Sequence, residues 1–276
     1  MERGSKTLGS TPTSSRNSIK QTSIRLKGKA IPGAEDRQKK IAGFDQEVFS
    51  ESKVVLIGAG GLGSHIAPPL LRKGIGALTI IDNDEVDVTN LNRQRFYEAD
   101  LEKNKAIALV ENLQRECIFA TQLTGYALSF DEVIRTGVDL DCDVALCGVD
   151  NNPARVASSR YFRQRQIPII FTAVSADADH GYVFVQEKKG ACFGCVFPEA
   201  VNNLTFPCPG TPAMIEILQT MGALAVYSVD SCLLKRPRSW NYREIYLSDG
   251  QWDSGKQLTT RQGCPLHHLQ QDYLAG

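Results

Sequence analysis

The residues KVVLIGAGGLG, 53–63, join a short apolar strand to a glycine-rich turn with the spacing GxGxxG. Asp82 follows at the end of the next predicted strand. A turn without side chains lets backbone N–H groups and a helix N-terminus approach phosphate, and an acid at the second strand end can bind ribose hydroxyls. A turn used only for close packing would not need that acid. The segment therefore predicts a nucleotide site whose contacts include Gly58, Gly60, Gly61, Gly63 and Asp82.

The chain around this turn alternates predicted strands and helices. A short helix is expected at 35–49, strands at 53–57, 77–81, 144–147 and 168–172, and longer helices at 103–115, 153–165 and 213–234. This order predicts an α/β fold with a Rossmann-like, mostly parallel sheet and helices on both faces.

Three regions follow from this reading. Residues 35–180 are assigned to the nucleotide-binding core, and residues 181–276 to a crossover loop, a helix and a C-terminal part of the same fold. Residues 1–34 are basic, rich in Ser and Thr and without apolar periodicity, which predicts a disordered tail. An organelle transit peptide has a similar composition.

Composition restricts the class of protein. The 276 residues include 42% apolar side chains, 31 Lys plus Arg and 31 Asp plus Glu, and no apolar run reaches the roughly 20 residues of a membrane-spanning helix. Residues 1–30 hold seven basic side chains and one acid, so the rest of the chain is acidic and an unlikely partner for nucleic acid. Eight cysteines that include a CxxC pair, without a secretory signal, favour a cytoplasmic protein.

A polar loop, DNDEVDVTNLNRQRF at 82–96, follows the second predicted strand. Arg93 offers planar donors for phosphate oxygens, and Lys105 at the start of the next helix offers a point charge. These groups suit a triphosphate better than a nicotinamide, although a solvated charged loop has the same composition. We therefore add Asp84, Asn90, Arg93, Gln94 and Lys105 to the candidate nucleotide contacts.

Asp150 and Asn151 follow the predicted strand 144–147 and are expected at the carboxyl edge of the sheet, where open α/β sheets bind ligands. A carboxylate there suits Mg²⁺ bound together with phosphate oxygens. The alternative is a helix cap, with Pro153 in the first turn, and the two roles are compatible.

Two distant pairs, Cys192 with Cys195 and Cys264 with His267, have the spacing of a tetrahedral zinc site. They predict a zinc-tied C-terminal region, with His268 as the competing fourth ligand. A redox role for the CxxC pair and placement by chance are the alternatives. Cys208 lies in a proline-rich loop before a predicted helix, where a reactive thiolate is favoured, and is a candidate nucleophile.

Taken in order, these segments resemble the ubiquitin-activating-like adenylyltransferases, the ThiF and MoeB group. The matching pieces run from about residue 35 to 268: RQKKIAGFDQE, VVLIGAGGLGS, TIIDNDEVDVTNLNRQ, the Lys105 position, GVDN at 148–151 and the paired zinc ligands. The usual last zinc ligand of the family is Cys, whereas His267 stands here. Lys103 replaces a residue that is usually small, and the basic tail has no counterpart in the family pattern.

The resemblance implies ATP-dependent adenylation of the C-terminal glycine of a small ubiquitin-like or sulfur-carrier protein, with release of pyrophosphate, in a homodimer. Arg93, Lys105 and Asp150 would act on the phosphates and Mg²⁺, Arg37 would reach the partner subunit's site, and Cys208 would form a thioester. A sulfur donor or conjugating enzyme would be a separate protein. The alternatives are adenylation of a non-protein or tRNA carboxylate, a NAD-dependent oxidoreductase, and a silent binding scaffold.

Overall fold

A computed structural model describes residues 22–202, 212–248 and 253–268. Within these ranges the strands are β1 (Ser23–Lys27), β2 (Lys53–Ile57), β3 (Ala77–Ile81), β4 (Gln122–Tyr126), β5 (Val144–Cys147), β6 (Ile169–Val174), β7 (His180–Gln186), β8 (Tyr242–Tyr246) and β9 (Ser254–Lys256). The helices are α1 (Gln46–Glu51), α2 (Gly61–Lys73), α3 (Lys105–Glu116), α4 (Phe130–Arg135), α5 (Asn152–Gln164), α6 (Phe193–Val196), α7 (Pro198–Asn202), α8 (Ile215–Leu233) and α9 (Pro265–His268).

The strands form one sheet in the order β1-β4-β3-β2-β5-β6-β7-β8-β9. The central strands β4, β3, β2, β5 and β6 are parallel, whereas β1 on one side and β7 to β9 on the other pair antiparallel. The chain leaves β2 toward β3 and later returns to β5 on the opposite side. The carboxyl ends of β2 and β5 therefore flank a topological switch point, the usual ligand crevice of such sheets.

Helices cover both faces of the sheet because its central strands are apolar on both sides. Val54 and Leu56 belong to the core cluster that also contains residues of α2, α3 and α8. Val55 and Ile57 belong to the other cluster, with residues of α4, α5 and α6. Successive side chains of a strand point to opposite faces, so a continuous apolar run is what a doubly covered parallel strand requires. The predicted α/β, Rossmann-like fold is confirmed.

The predicted disordered tail is wrong for part of its length. The stretch β1 pairs antiparallel with β4, with Ser23 opposite Tyr126 and Lys27 opposite Gln122. Ile24 and Leu26 pack against the core, while Ser23, Arg25 and Lys27 are exposed. The sequence SIRLK thus has the two-residue period of an edge strand, but it is too short to stand out within a polar segment. Residues 1–21 lie outside the described ranges.

The predicted helix at 35–49 is also wrong. The chain instead forms a 3-10 turn at Gln38–Lys40 and then the short helix α1. Gly43 lies between them with φ of +72°, a left-handed conformation that interrupts a helix. Asp45 caps α1 by accepting a hydrogen bond from the Glu47 backbone N–H at 2.9 Å.

The described helices do not meet the requirements of a membrane-spanning helix. None of them combines the length and the apolar character that a membrane crossing requires.

Candidate nucleotide site and metal centre

A cavity of about 580 Å³ opens at the carboxyl edge of β2, β3 and β5. It brings together candidate residues from four separate segments of the sequence. The predicted contacts that line it are Gly58, Gly60, Gly61, Asp82, Asp84, Asn90, Arg93, Gln94, Lys105, Asp150 and Asn151. The cavity also includes Leu128, after β4, and Phe130, at the start of α4, which the sequence did not reveal because single apolar residues carry no distinctive signal.

The glycine-rich turn forms one wall of this cavity. Gly58 has φ of +95°, which favours glycine, and α2 begins at Gly61 beside the cavity. A Cβ on Gly60 would meet only Gln94 Nε2, at 4.0 Å, among the atoms around it. This open space is where a phosphate can approach the backbone. Gly63 does not line the cavity; a Cβ there would lie 1.9 Å from the Gly58 carbonyl oxygen, so it serves close packing of helix on strand.

Asp82 links the end of β3 to the glycine-rich turn. One carboxylate oxygen accepts a hydrogen bond from the Ala59 backbone N–H at 2.7 Å, and the other accepts from the Asp84 N–H at 2.8 Å. Burial raises the pKa of Asp82 to about 6, although these two hydrogen bonds oppose the shift. The group is therefore ionised at neutral pH and can accept hydrogen bonds from ribose hydroxyls.

The cationic side of the cavity is formed by Arg93 and Lys105. Lys105 is mostly buried, and its Nζ lies 3.0 Å from a carboxylate oxygen of Asp84. Arg93 donates from Nη1 to the Thr89 carbonyl at 2.7 Å and to the Asn92 side chain at 3.0 Å. Both residues line the cavity, and these contacts restrain their side chains there.

Asn90 and Gln94 complete the same loop. The Asn90 side chain accepts from the Asp87 backbone N–H at 3.1 Å and so closes the 3-10 turn Val88–Asn90. The side-chain oxygen of Gln94 is buried and has no hydrogen-bond partner among the described residues. A buried polar atom at a cavity wall is costly unless a ligand or water satisfies it. The donor set and this unpaired atom both fit a bound nucleotide.

The two polar residues after β5 have separate roles. Asn151 caps α5, because its side chain accepts from the Ala154 N–H at 2.9 Å. Asp150 is exposed and has no hydrogen bond or ion pair with the described part of the chain. It lines the nucleotide cavity and also a neighbouring one. Its free carboxylate beside a phosphate site fits a magnesium ligand.

The neighbouring cavity has a volume of about 500 Å³ and was not anticipated from the sequence. It shares Leu62, Gly148, Val149, Asp150 and Val174 with the nucleotide cavity. Its other walls are Tyr182, Phe193 and Phe197, with Arg155 and Glu199 as charged members. These residues come from α5, β7, α6 and α7, so no local sequence pattern could reveal them.

Cys192, Cys195, Cys264 and His267 converge as predicted from their spacing. Cys192 Sγ lies 3.7 Å from Cys195 Sγ and 3.5 Å from Cys264 Sγ, and Cys195 Sγ lies 3.5 Å from His267 Nε2. Tetrahedral zinc with ordinary bond lengths requires about 3.8 Å between two sulfurs and about 3.6 Å between sulfur and nitrogen. The four groups therefore fit a closed zinc site. Nothing is described of the His268 side chain, the competing ligand.

Two of the predicted catalytic residues, Arg37 and Cys208, stay predictions for different reasons. Arg37 is exposed beside the 3-10 turn Gln38–Lys40 and lines neither cavity. Its action in a partner subunit stays a prediction. Cys208 lies outside the described residues.

Known proteins resemble the chain in both sequence and structure. Ubiquitin-like modifier-activating enzyme 5 of Drosophila ananassae is 29% identical over 205 residues, which cover 68% of this chain and 52% of that protein. The enzyme of the same name from Culex quinquefasciatus is 31% identical over 205 residues, with 68% and 51% covered. The chain thus spans about half the length of the curated relatives it matches.

Among solved structures, E. coli MccB with ATP has a TM-score of 0.63 at 22% identity, covering 80% of this chain and 68% of that one. PaaA has a TM-score of 0.63 at 18% identity, covering 78% and 67%. These likenesses show a shared fold. The two sequence relatives are named as activating enzymes for ubiquitin-like modifiers. The ThiF family model matches residues 35–265, most of the sequence, and the chain belongs to the ThiF family.

Proposed function

We propose that the protein uses ATP to adenylate a carboxylate, the C-terminal glycine of a small ubiquitin-like or sulfur-carrier protein. The observation that carries this proposal is the common wall of the two cavities, formed in part by Gly148, Val149 and Asp150. A nucleotide in the first cavity and an acyl chain in the second would meet at this wall.

Different residues around the first cavity would bind different parts of the nucleotide. Asp82 would bind the ribose, while the glycine-rich turn and the start of α2 would receive phosphate oxygens. Arg93 and Lys105 would bind the phosphates as well. Lys105 now pairs with Asp84 at 3.0 Å, so a bound phosphate would compete with that carboxylate for the ammonium group.

The reaction joins two negatively charged groups, and this defines what the site must supply. A carboxylate oxygen attacks the α-phosphorus, the bond between that phosphorus and the bridging oxygen breaks, and pyrophosphate leaves with its electron pair. The attacking carboxylate is ionised at neutral pH, so no general base is required. Arg93 and Lys105 offset the charge of the approaching groups and of the leaving group.

The metal sites have separate roles in this proposal. Asp150 would hold Mg²⁺, which neutralises phosphate charge when bound. Cys192, Cys195, Cys264 and His267 would hold Zn²⁺ with all four positions filled by protein, which is typical of a structural site. That cluster would fix α9 against α6 and thereby the second cavity, because Phe193 lines the cavity and lies between two of the ligands.

The proposed reaction also involves other protein chains. The relatives are named as activators of ubiquitin-like modifiers, which favours a small protein over tRNA as the carboxylate donor. A homodimer would let Arg37 of one subunit act at the other subunit's site. Cys208 would take the acyl group from the adenylate as a thioester, and AMP would leave. A sulfur donor or a conjugating enzyme would act on the activated carrier in the next step.

ATP–pyrophosphate exchange tests the proposal directly. We expect exchange only when a size-selected fraction of small proteins from the source cell is added, with a new acyl adenylate on one of them. Arg93→Ala should abolish exchange, whereas Arg95→Ala should not, because Arg95 pairs with Glu116 at 2.8 Å and lines neither cavity. Asp150→Ala should also abolish it, with exposed Asp139→Ala as the control. Exchange at wild-type rate in Asp150→Ala would refute the magnesium assignment.

A further inference from the structure

His65 contacts the cation loop, which we define as residues 90–95. The ring lies in the first turns of α2 and is only 7% exposed, and its Nε2 is 2.8 Å from the Arg93 carbonyl oxygen. A carbonyl oxygen can only accept, so Nε2 must carry a proton in this hydrogen bond. The sequence suggested no partner for this histidine. The partner is a backbone atom of the residue whose side chain lines the nucleotide cavity.

The protonation state of His65 suits this contact. Burial lowers the pKa of the ring below its ordinary value, and the nearby Arg95 charge acts in the same direction, against the opposing effect of the hydrogen bond to Arg93. The ring is therefore neutral at neutral pH and has a single proton. That proton is on Nε2, where the Arg93 carbonyl receives it.

A second hydrogen bond joins α2 to the cation loop. The Arg95 backbone N–H donates to the Ser64 side chain at 3.2 Å. The two bonds, from adjacent residues of α2, attach the loop backbone on either side of Gln94. The glycine-rich turn leads directly into this part of α2, so the loop and the turn are held against each other at the cavity.

Helix α8 closes the other side of His65. A Cβ placed on Gly222 would lie only 3.3 Å from the His65 Cβ and 3.4 Å from its carbonyl carbon, so α8 packs closely on the backbone of α2 at His65. Leu218 of the same helix packs within 3.1 Å of the position that a Cβ on Gly61 would take. Helix α8 thus packs against both the first residue of α2 and the histidine that contacts the cation loop.

We propose that His65 is a positioning residue that sets the distance between Arg93 and the glycine-rich turn, so that a triphosphate is bound between them. The proposal rests on the proposed use of ATP and adds a residue that does not itself touch the nucleotide. Without the bond the loop backbone would shift and Arg93 would lose its alignment with the phosphates. The expected ribose contact, Asp82, directly follows β3 and lies outside the cation loop, so adenosine binding should be unaffected.

Binding of ATP and of adenosine, measured by calorimetry with Mg²⁺ present, separates positioning from general stability. In His65→Leu we expect ATP to bind about tenfold more weakly, which corresponds to about 1.4 kcal/mol, and adenosine to bind as in the wild type. His65→Gln carries an amide nitrogen at the reach of Nε2 and should restore ATP affinity. His65→Asn, whose amide reaches only the Nδ1 position, should not. The contrast between Gln and Asn remains usable if the Leu variant fails to fold.

Several outcomes would overturn the proposal. An unchanged ratio of ATP to adenosine affinity in both His65→Leu and His65→Asn would show that the bond does not position the phosphate-binding group. An equal loss for both ligands would show a structural role only. Failure of the wild type to bind ATP more tightly than adenosine would instead refute the proposed function, and the inference with it.

Discussion

Replacing Asp82 with asparagine should remove a pH dependence from the stability of the folded protein. Burial raises the pKa of this carboxyl from its ordinary value of 3.8 to about 6. When a group binds its proton more tightly in the folded chain than in the unfolded one, the free energy of unfolding falls as the pH rises from the unfolded pKa to the folded pKa. The folded wild type therefore becomes less stable between these two pH values on account of Asp82, and the asparagine variant does not.

The magnitude follows from the two pKa values. Between pH 5 and pH 7.5 the linkage relation gives a loss of about 1.4 kcal/mol in the free energy of unfolding of the wild type, relative to Asp82→Asn. Urea unfolding at both pH values, for both proteins, gives this double difference. Any constant cost of the asparagine amide, which faces one of the two N–H donors, cancels because it is present at both pH values.

A matched control and a contrary result complete this test. Asp143 also accepts a backbone N–H, from Lys53 at 2.8 Å, but it is exposed, so Asp143→Asn should retain the pH dependence of the wild type. Parallel pH dependences for the wild type and Asp82→Asn would refute the reasoning. They would mean that Asp82 is not desolvated in solution and that the cavity is more open to water than its walls indicate.

Four other results are expected. Metal analysis should find about one zinc per chain, and Cys195→Ser should lower both zinc content and melting temperature; a metal-free protein of full stability would contradict this. Gly63→Ala should cost about 3 kcal/mol or more in the free energy of unfolding, because its Cβ would lie 1.9 Å from the Gly58 oxygen; near-normal urea unfolding would contradict the packing role. Cys208→Ala should keep pyrophosphate exchange and lose only a covalent adduct visible by mass spectrometry. Arg37→Ala alone should be inactive, and mixing it with Asp150→Ala should restore about a quarter of wild-type exchange if Arg37 acts in the other subunit's site of a dimer; no recovery would contradict action across subunits, and full exchange by Arg37→Ala alone would place Arg37 outside the reaction.

Sequence patterns predicted those parts of the site in which one short segment dictates its own geometry. The glycine-rich turn, Asp82 and the cation loop are of this kind, because the spacing of their residues already fixes which backbone groups face a ligand. The paired cysteines were also predictable, since each pair has the reach of a metal site on its own. The meeting of the two pairs was predicted as well, and the structure adds the distances between the four groups.

Other features depend on contacts between distant segments and could not be predicted. The second cavity combines Arg155 on α5 with Tyr182 on β7 and Phe197 after α6, and none of these carries a motif. The partner of His65 is a carbonyl 28 residues away, which side-chain patterns do not report. Strand β1 was missed because only Ile24 and Leu26 distinguish it from the polar residues that precede it.

The cluster of Cys192, Cys195, Cys264 and His267 has a consequence for protein synthesis. Its two halves are 72 residues apart, and the later half includes α9, where Leu266 packs so closely on Gly194 that a Cβ there would be 2.8 Å away. A ribosome makes the chain from its N-terminus, so the nucleotide side of the site can form well before residue 264 has emerged. Helix α6, which contains Phe193, can pack against α9 only after that point. A nascent chain would therefore hold a nucleotide before it had a finished wall for the acyl group.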